Sequence, residues 1–413
     1  MQECRWNIVV RRSMLFFTVL ITGGAFLYNI YALSALFMVL CIAYTWRNHI
    51  RWFQQKHAGI YCFFAFIILL NLYHMYDNGH WSDSVITRYM NFIIAYLMVI
   101  CYPPDPEERM RTFSGDYAFL GKVFVLHALV SMMAAALYPN AFSIMEGHPT
   151  VLHFYHILYS VIVTDVNTFL HAVPRCMGMF WEPGVLQFFI NVFLFILLFY
   201  QEKRNWKWIF LATAVVLLTQ SITGIFLCAI QYVYFFIIRK HYFMLVVSCI
   251  AVFFVGAHMF GIKIHGETSS EAGSYWSRQA DALAAWNIIE KKPVLGIGFD
   301  VDDFLRYRNM VDDQGVLTMS YTWDRTNTNS VLLLFYGLGI PAGLLIMWWL
   351  FRQSLLPKHR LIVFIICCIS SASEPILFLV FLVCFTISGM LPRLDENRPA
   401  KLESSDDNNP EVE

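Results

Sequence analysis

KIHGETSSEAGSYWSRQADALAAWNIIEKKPVLGIGFDVDDFLRYRNMVDDQGVLTMSYTWDRTNTN, residues 263–329, is the one long polar stretch in a chain that is otherwise apolar, and the runs on either side are long enough to cross a bilayer. Unstructured connections of this length are uncommon in compact proteins, so the stretch reads as a folded cap carried by a membrane bundle. Working outward, the composition agrees. Of 413 residues 58% are hydrophobic and only 14% charged, whereas soluble domains carry about 25% charged residues. Such a surface cannot be kept wet, which excludes a soluble globular protein.

A transmembrane helix needs about 20 mostly apolar residues. By that measure spans are expected at 9–27, 29–46, 58–76, 85–102, 117–138, 185–201, 207–220, 222–238, 243–262, 329–351, 361–373 and 375–391, twelve in all. Gly23-Gly24 and Asn29 mark a tight hairpin between the first two. Arg5, Arg11 and Arg12 before an apolar core would also suit a cleaved signal peptide, but the number of later spans favours a retained first helix. The expected fold is an all-α polytopic membrane protein: helices 1–9 over 1–262 with a half-apolar outer segment at 139–184, an outer loop at 263–328, helices 10–12 over 329–392, and a disordered polar tail at 393–413.

Lys and Arg mark cytoplasmic loops. With both termini inside, 20 of the 29 basic residues fall on the inner side and 9 on the outer. Seven of those nine lie in the large loop, where the rule has little force, so the orientation is internally consistent. Lys plus Arg equals Asp plus Glu at 29 each, so net charge itself points to no partner. Among the ten cysteines only Cys176 falls outside, which leaves no internal outer disulfide and no Cys/His spacing suited to zinc. His153 and His156, three apart on an expected helix, suit either an interface or a metal.

Three constellations could carry chemistry, all at the outer boundary. In PRCMGMFWEPG (174–184), Arg175 and Glu182 flank Phe180 and Trp181 just before a span. A guanidinium fork suits a pyrophosphate and the aromatics suit lipid or sugar, but interfacial anchoring and a Glu-Pro helix start explain the same residues. On an expected helix at 274–290, Arg278 and Asp281 share a face with Trp276 nearby, either a surface ion pair or a second anion site. PVLGIGF (293–299) then reads as a glycine turn whose N–H groups could face an anion, before an expected helix with Asp300 at its cap position. In YTWDRTNTN (321–329), Asp324, Arg325, Asn327 and Asn329 crowd the entrance of a span, as a site or as a cap. Trp276, Trp286 and Trp323 suit sugar stacking or packing of the loop.

At these places the chain resembles the family of bacterial O-antigen ligases and Wzy-type polysaccharide polymerases. Arg175, Gly178, Phe180, Glu182 and Pro183 resemble its R-x-x-G-x-F-x-E-P entry to a span. LTQSITG (218–224) is similar to its L-T-x-S-R-x-G stretch, with Ile222 in place of the Arg. Arg278, Trp286 and KPVLGIGF resemble its R…W…P-L-L-G-x-G run, and TNTNSVLLLFYGLG resembles its H-N-x-x-L…G-L-x-G start, with Thr326 in place of the His. The resemblance implies a GT-C-like helical bundle in the bacterial inner membrane with a periplasmic loop. It implies glycosyl transfer from undecaprenyl-pyrophosphate-linked oligosaccharide without metal, nucleotide or other cofactor, and no nucleic-acid partner. A chain-length regulator protein and membrane lipid are the further implied partners. Arg175, Arg278 and Arg325 would hold the pyrophosphate, with Asn327, Trp181 and Trp276 as further substrate contacts. Glu182, Asp324 and Asp281, then His171 and His265, are the candidate bases. Loss of the His favours a polymerase of O-antigen, capsule or exopolysaccharide units over a ligase. A transporter of lipid-linked sugar is the alternative from another class, although it would call for charge near the middle of the membrane.

Overall fold

The apolar runs fold as helices that end where polar residues, Gly or Pro interrupt them. The structure, a computed structural model, describes residues 5–25, 30–79, 83–145, 148–154, 159–162, 173–201, 203–250, 253, 270–313, 327 and 329–391. The tail at 393–413 lies outside them. The helices are α1 (Arg5–Gly23), α2 (Tyr31–Arg47), α3 (Ala58–Asn78), α4 (Asp83–Ile100), α5 (Pro106–Leu137), α6 (Pro183–Phe199), α7 (Trp206–Leu218), α8 (Ile222–Arg239), α9 (242–250), α10 (Ser270–Lys291), α11 (Val301–Asp313), α12 (Ser330–Phe351), α13 (Arg360–Ser373) and α14 (Val380–Met390).

Each expected span meets a helix, but four of them, α3, α5, α8 and α12, are long and apolar enough to cross a membrane over the described residues. The expectation of twelve complete spans is therefore met only in part. The reason is visible in α6 and α14. Pro183–Leu198 and Val380–Gly389 are buried on every side, as a helix apolar all round should be. With 11 residues, α14 reaches only about half of a ~30 Å hydrocarbon layer. These two helices form the interior, α6 against α5, α7, α8 and α13, and α14 against α1, α4 and α12. Apolar side chains left outside, such as Leu36, Leu69, Phe210 and Leu344, face outward from the bundle.

The long α5 starts where Asp105 accepts hydrogen bonds from the N–H groups of Glu107 (3.1 Å) and Glu108 (3.0 Å), with Pro106 at the first helical position. Asp116 on α5 then receives the Arg11 Nε at 2.6 Å and the Arg12 Nε at 2.9 Å, which ties α1 into the bundle. At that end Arg109 also donates to Ser354 Oγ (2.9 Å), and the Lys358 N–H donates to Tyr200 Oη (2.7 Å). At the opposite end the Phe381 N–H donates to Thr22 Oγ1 (2.9 Å), and the Trp181 N–H donates to the Gly23 carbonyl (3.0 Å). Basic residues that the charge rule assigns to the cytoplasm thus gather at one end, and the described parts of the three candidate stretches at the other.

The chain is mostly helical, as expected, and the exception is the segment 139–184. It contains a four-stranded antiparallel sheet, β1 (Ser143–Met145), β2 (His148–Phe154), β3 (Tyr159–Ile162) and β4 (Arg175–Cys176), in sequence order. Register is set by Leu152 opposite Val161, His153 opposite Ser160 and Ile162 opposite Arg175. Along β2, Val151 and His153 are buried while Thr150 is exposed, a period of two that β-branched residues favour. His153 therefore lies on a strand and not on the helix that its spacing with His156 required, and His156 is outside the described residues. Among the described residues no group of three His, Cys, Asp or Glu is arranged to hold a metal ion.

In the large loop the helix expected at 274–290 is α10. Ala284, Ala285 and Ile288 are fully buried in a small core with Phe304 of α11 and Tyr336 of α12, whose rings stack at 5.0 Å. Asp300 behaves as a cap, its Oδ1 accepting from the Asp302 N–H at 3.0 Å. At the start of α12, Asn329 Oδ1 accepts from the N–H groups of Val331 (3.1 Å) and Leu332 (3.0 Å). We expect Asn329→Ala to lower stability by about 1 kcal/mol, read as an earlier melt of the purified protein, and Asn329→Asp to recover most of it.

Candidate functional site

Arg175 reaches its place through the sheet. Its backbone pairs with Ile162, and its Nε donates to the Thr219 carbonyl at 3.2 Å. From the other side Gln220, which sits in the left-handed region at φ 51°, donates its Nε2 to the Val173 carbonyl at 2.9 Å. Two separate sequence motifs, 174–184 and 218–224, are thereby joined. Ser221 finishes the junction by accepting the Gly224 N–H at 3.4 Å as α8 begins.

Beyond Arg175 the chain dives inward. Cys176 is fully buried and donates to the Ala128 carbonyl at 3.6 Å, and burial pushes its thiol up to about 12, so it behaves as a small hydrophobe. Phe180 is wholly buried, stacked on Phe189 at 4.8 Å and edge-on to Phe124 at 5.5 Å. The expected sugar or lipid contact by Phe180 is corrected on that ground, since this ring belongs to the packing. Trp181 is half-buried, its backbone N–H bonded to Gly23. Glu182, also half-buried, occupies the N-cap of α6 without a side-chain capping bond, and its carbonyl accepts from Val185 (3.1 Å) and Leu186 (3.2 Å).

A residue missed by sequence reasoning stands beside it. Glu374, the C-cap of α13, is only 6% exposed. Its carboxylate packs so closely on the first turn of α6 that a Cβ at Gly184 would lie 1.9 Å from Oε1. Helix N-termini present unsatisfied N–H groups and favour an anion. The Glu374 carbonyl also accepts from Ser330 Oγ at 3.0 Å, and the same hydroxyl donates to Ser371 at 2.8 Å. The starts of α6 and α12 and the end of α13 therefore meet at this one glutamate. The available signal was a second Glu-Pro pair, 374–375, matching the one at 182–183.

The third stretch joins through Asn327, 1% exposed, which donates to the Asp281 carbonyl at 3.5 Å and accepts from the Asn329 N–H at 2.7 Å. Asp281 is fully buried, with Arg308 of α11 an ion partner at 3.4 Å, so it holds α10 against α11. Arg278 and Trp276 lie on α10, but their side chains fall outside the described residues, as do Asp324, Arg325, Trp323, His171 and His265 altogether. Trp286 is 59% exposed and donates its Nε1 to Glu290 at 2.8 Å.

The anion cradle expected of PVLGIGF is absent. The Ile297 N–H donates to the Tyr336 carbonyl (2.8 Å), that of Gly298 to Gly337 (2.9 Å) and that of Phe299 to Asn71 Oδ1 (3.3 Å). Gly296, at φ 65°, is required because a Cβ there would come within 2.4 Å of the Tyr336 carbonyl. The glycines serve a close approach to α12, where Gly339 (φ 81°) breaks the helix. Behind them Arg88 of α4 lies 4.5 Å over the Phe299 ring.

Deeper, α6 carries Gln187 and Asn191, both 0% exposed. Asn191 Nδ2 donates to Gln187 Oε1 (3.0 Å) and to the Gly224 carbonyl (3.2 Å), while Gln231 of α8 donates to Asn191 Oδ1 at 2.8 Å. Buried amides of this kind must be bonded to one another, and their mutual geometry fixes the rotation of α6 against α8. Comparison of the chain with protein-family models, curated proteins and solved structures finds no match.

Proposed function

We propose that the protein is a polysaccharide polymerase of the inner membrane, transferring glycan between undecaprenyl-pyrophosphate-linked repeat units on the periplasmic side. The observation that carries this reading is the junction of Arg175 with Thr219, beside which stand the meeting of Gly184, Ser330 and Glu374 and the bond of Asn327 to Asp281. Stretches far apart in the chain supply a cation, carboxylates and amides at one boundary, away from the basic end. In this reaction the acceptor hydroxyl gives up its proton as it attacks the anomeric carbon, and the lipid pyrophosphate departs. Arg175, with Arg278 and Arg325, answers the developing charge, each ionic hydrogen bond contributing about 1.5–3 kcal/mol. Glu182 is the half-buried carboxylate at the α6 entrance and takes the proton, with Asp324 as the second candidate. Asp281 supports the loop through Arg308, and Trp181 and Trp276 supply surfaces for sugar rings.

The chain's Thr326, where the resembling ligases carry a His, favours polymer growth over transfer to a different acceptor. One observation favours a transporter as a second reading. The buried Gln187–Asn191–Gln231 group lies inside the bundle, where polar residues often line a path. The deciding experiment supplies lipid-linked repeat units to the purified protein in liposomes. A ladder of longer lipid-linked products is the expected result. Movement of the substrate across the bilayer with no lengthening would establish the transporter.

A further inference from the structure

At the basic end, opposite the candidate site, a cavity of about 840 Å³ opens between the turn after α2 and the α4–α5 junction. Arg11, Arg51, Arg109, His49 and His57 line it, and no Asp or Glu of the described residues is among its lining residues. Arg11 and Arg109 are each 4% exposed, so two guanidinium groups are withdrawn from bulk water at its wall. Among the described residues the nearest carboxylates answer these cations only in part. Asp116 is shared between Arg11 and Arg12, and Asp105 caps α5 by accepting from Glu107 and Glu108. Arg109 is held in direction by the Pro103 (3.1 Å) and Pro104 (2.9 Å) carbonyls and by Ser354. Cations gathered in one cavity repel unless an anion answers them. His49 at the mouth is the left-handed residue, φ 52°, that ends α2, its N–H donating to the Trp46 carbonyl at 3.0 Å. Phe53, 82% exposed at the rim, offers an apolar lip beside the charged interior.

We propose that this cavity binds a phosphate-bearing anion, in which the Arg side chains meet the phosphate oxygens and Phe53 meets an adjoining acyl chain. Guanidinium forks match phosphate oxygens in geometry as well as charge, and basic pockets between membrane helices suit anionic headgroups. This site is independent of the glycosyl-transfer reading and would stand if that reading failed.

The test titrates the full-length protein, purified in detergent, with short-chain phosphatidylglycerol, short-chain phosphatidylcholine and inorganic phosphate, following the melting temperature. Phosphatidylglycerol is expected to raise it, and phosphatidylcholine to leave it unmoved. Arg51→Gln is expected to weaken the response about tenfold, as loss of one charge-assisted hydrogen bond implies. Lys240→Gln, at the end of α8 away from the cavity, should leave the response intact. His49→Asn, which tolerates the same backbone, serves as the second variant. If inorganic phosphate binds as tightly as the lipid, the natural occupant is a soluble phosphate compound. If it binds far more weakly, the occupant is a lipid headgroup. Equal binding of both lipids, an unchanged response in both cavity variants, or an equal loss in Lys240→Gln overturns the proposal.

Discussion

Under the proposed polymerase reading, Arg175→Ala is expected to abolish long-chain product while the protein accumulates in the membrane at its usual level, and Arg175→Lys is expected not to restore it. The expected loss is about 10²–10³ in rate, the range seen when one group that stabilises developing charge is removed. The lysine result follows from the geometry. Arg175 commits its Nε to the Thr219 carbonyl at 3.2 Å, and that bond orients the guanidinium plane. A single ammonium nitrogen cannot hold that carbonyl and present a fork to a phosphate as well. A purely structural role is separated by Gln220→Ala. Gln220 ties the same two segments together through Val173 at 2.9 Å, so its loss removes about 1 kcal/mol of stability but no charge. Polymer should persist there, with a lower melting temperature. The chain-length ladder of cells whose only copy carries each variant is the measurement, and an unaltered ladder in Arg175→Ala would remove the pyrophosphate role.

The helices were legible in the sequence because apolar runs and their breakers follow local rules. Asn329 announces α12, whereas α5 starts at Pro106, well before the expected span at 117–138, behind its Asp105 cap. The sheet was not, because its strands are short and His148–Phe154 mixes apolar residues with two histidines, so that the period of two is submerged. The glycine stretch at 293–299 failed for a different reason. Its composition fits either an anion cradle or a close helix approach, and only the folded chain shows its N–H groups bonded to Tyr336, Gly337 and Asn71. Glu374 was hidden by the apolar context that made 361–391 read as two spans. Its importance lies in what packs against it, and a single chain does not print that. The junction of Arg175 with Thr219 was half legible, since both motifs could be singled out but their meeting depends on β4 pairing with β3.

Gly184→Ala should be nearly as damaging as Arg175→Ala, although it adds one methyl group and removes no chemistry. The new Cβ would lie 1.9 Å from Glu374 Oε1 and 2.6 Å from its Cδ, so either the carboxylate or the start of α6 must move. Glu374 is 6% exposed and anchored through its carbonyl to Ser330 Oγ, which leaves it little room to yield. Overpacking at such a site costs about 1–3 kcal/mol. The larger consequence is displacement of Glu182 and Trp181, which enter α6 immediately before Pro183. A misplacement of about 1 Å near a reacting centre lowers rates about a hundredfold. Polymer formation per inserted molecule should fall by that order. Glu374→Ala empties the space that the new methyl needs, so the double variant should be no worse than Gly184→Ala alone, the non-additivity expected of residues in contact. Losses that simply add would show that Gly184 and Glu374 act separately, and the first turn of α6 would then have no part in placing the site.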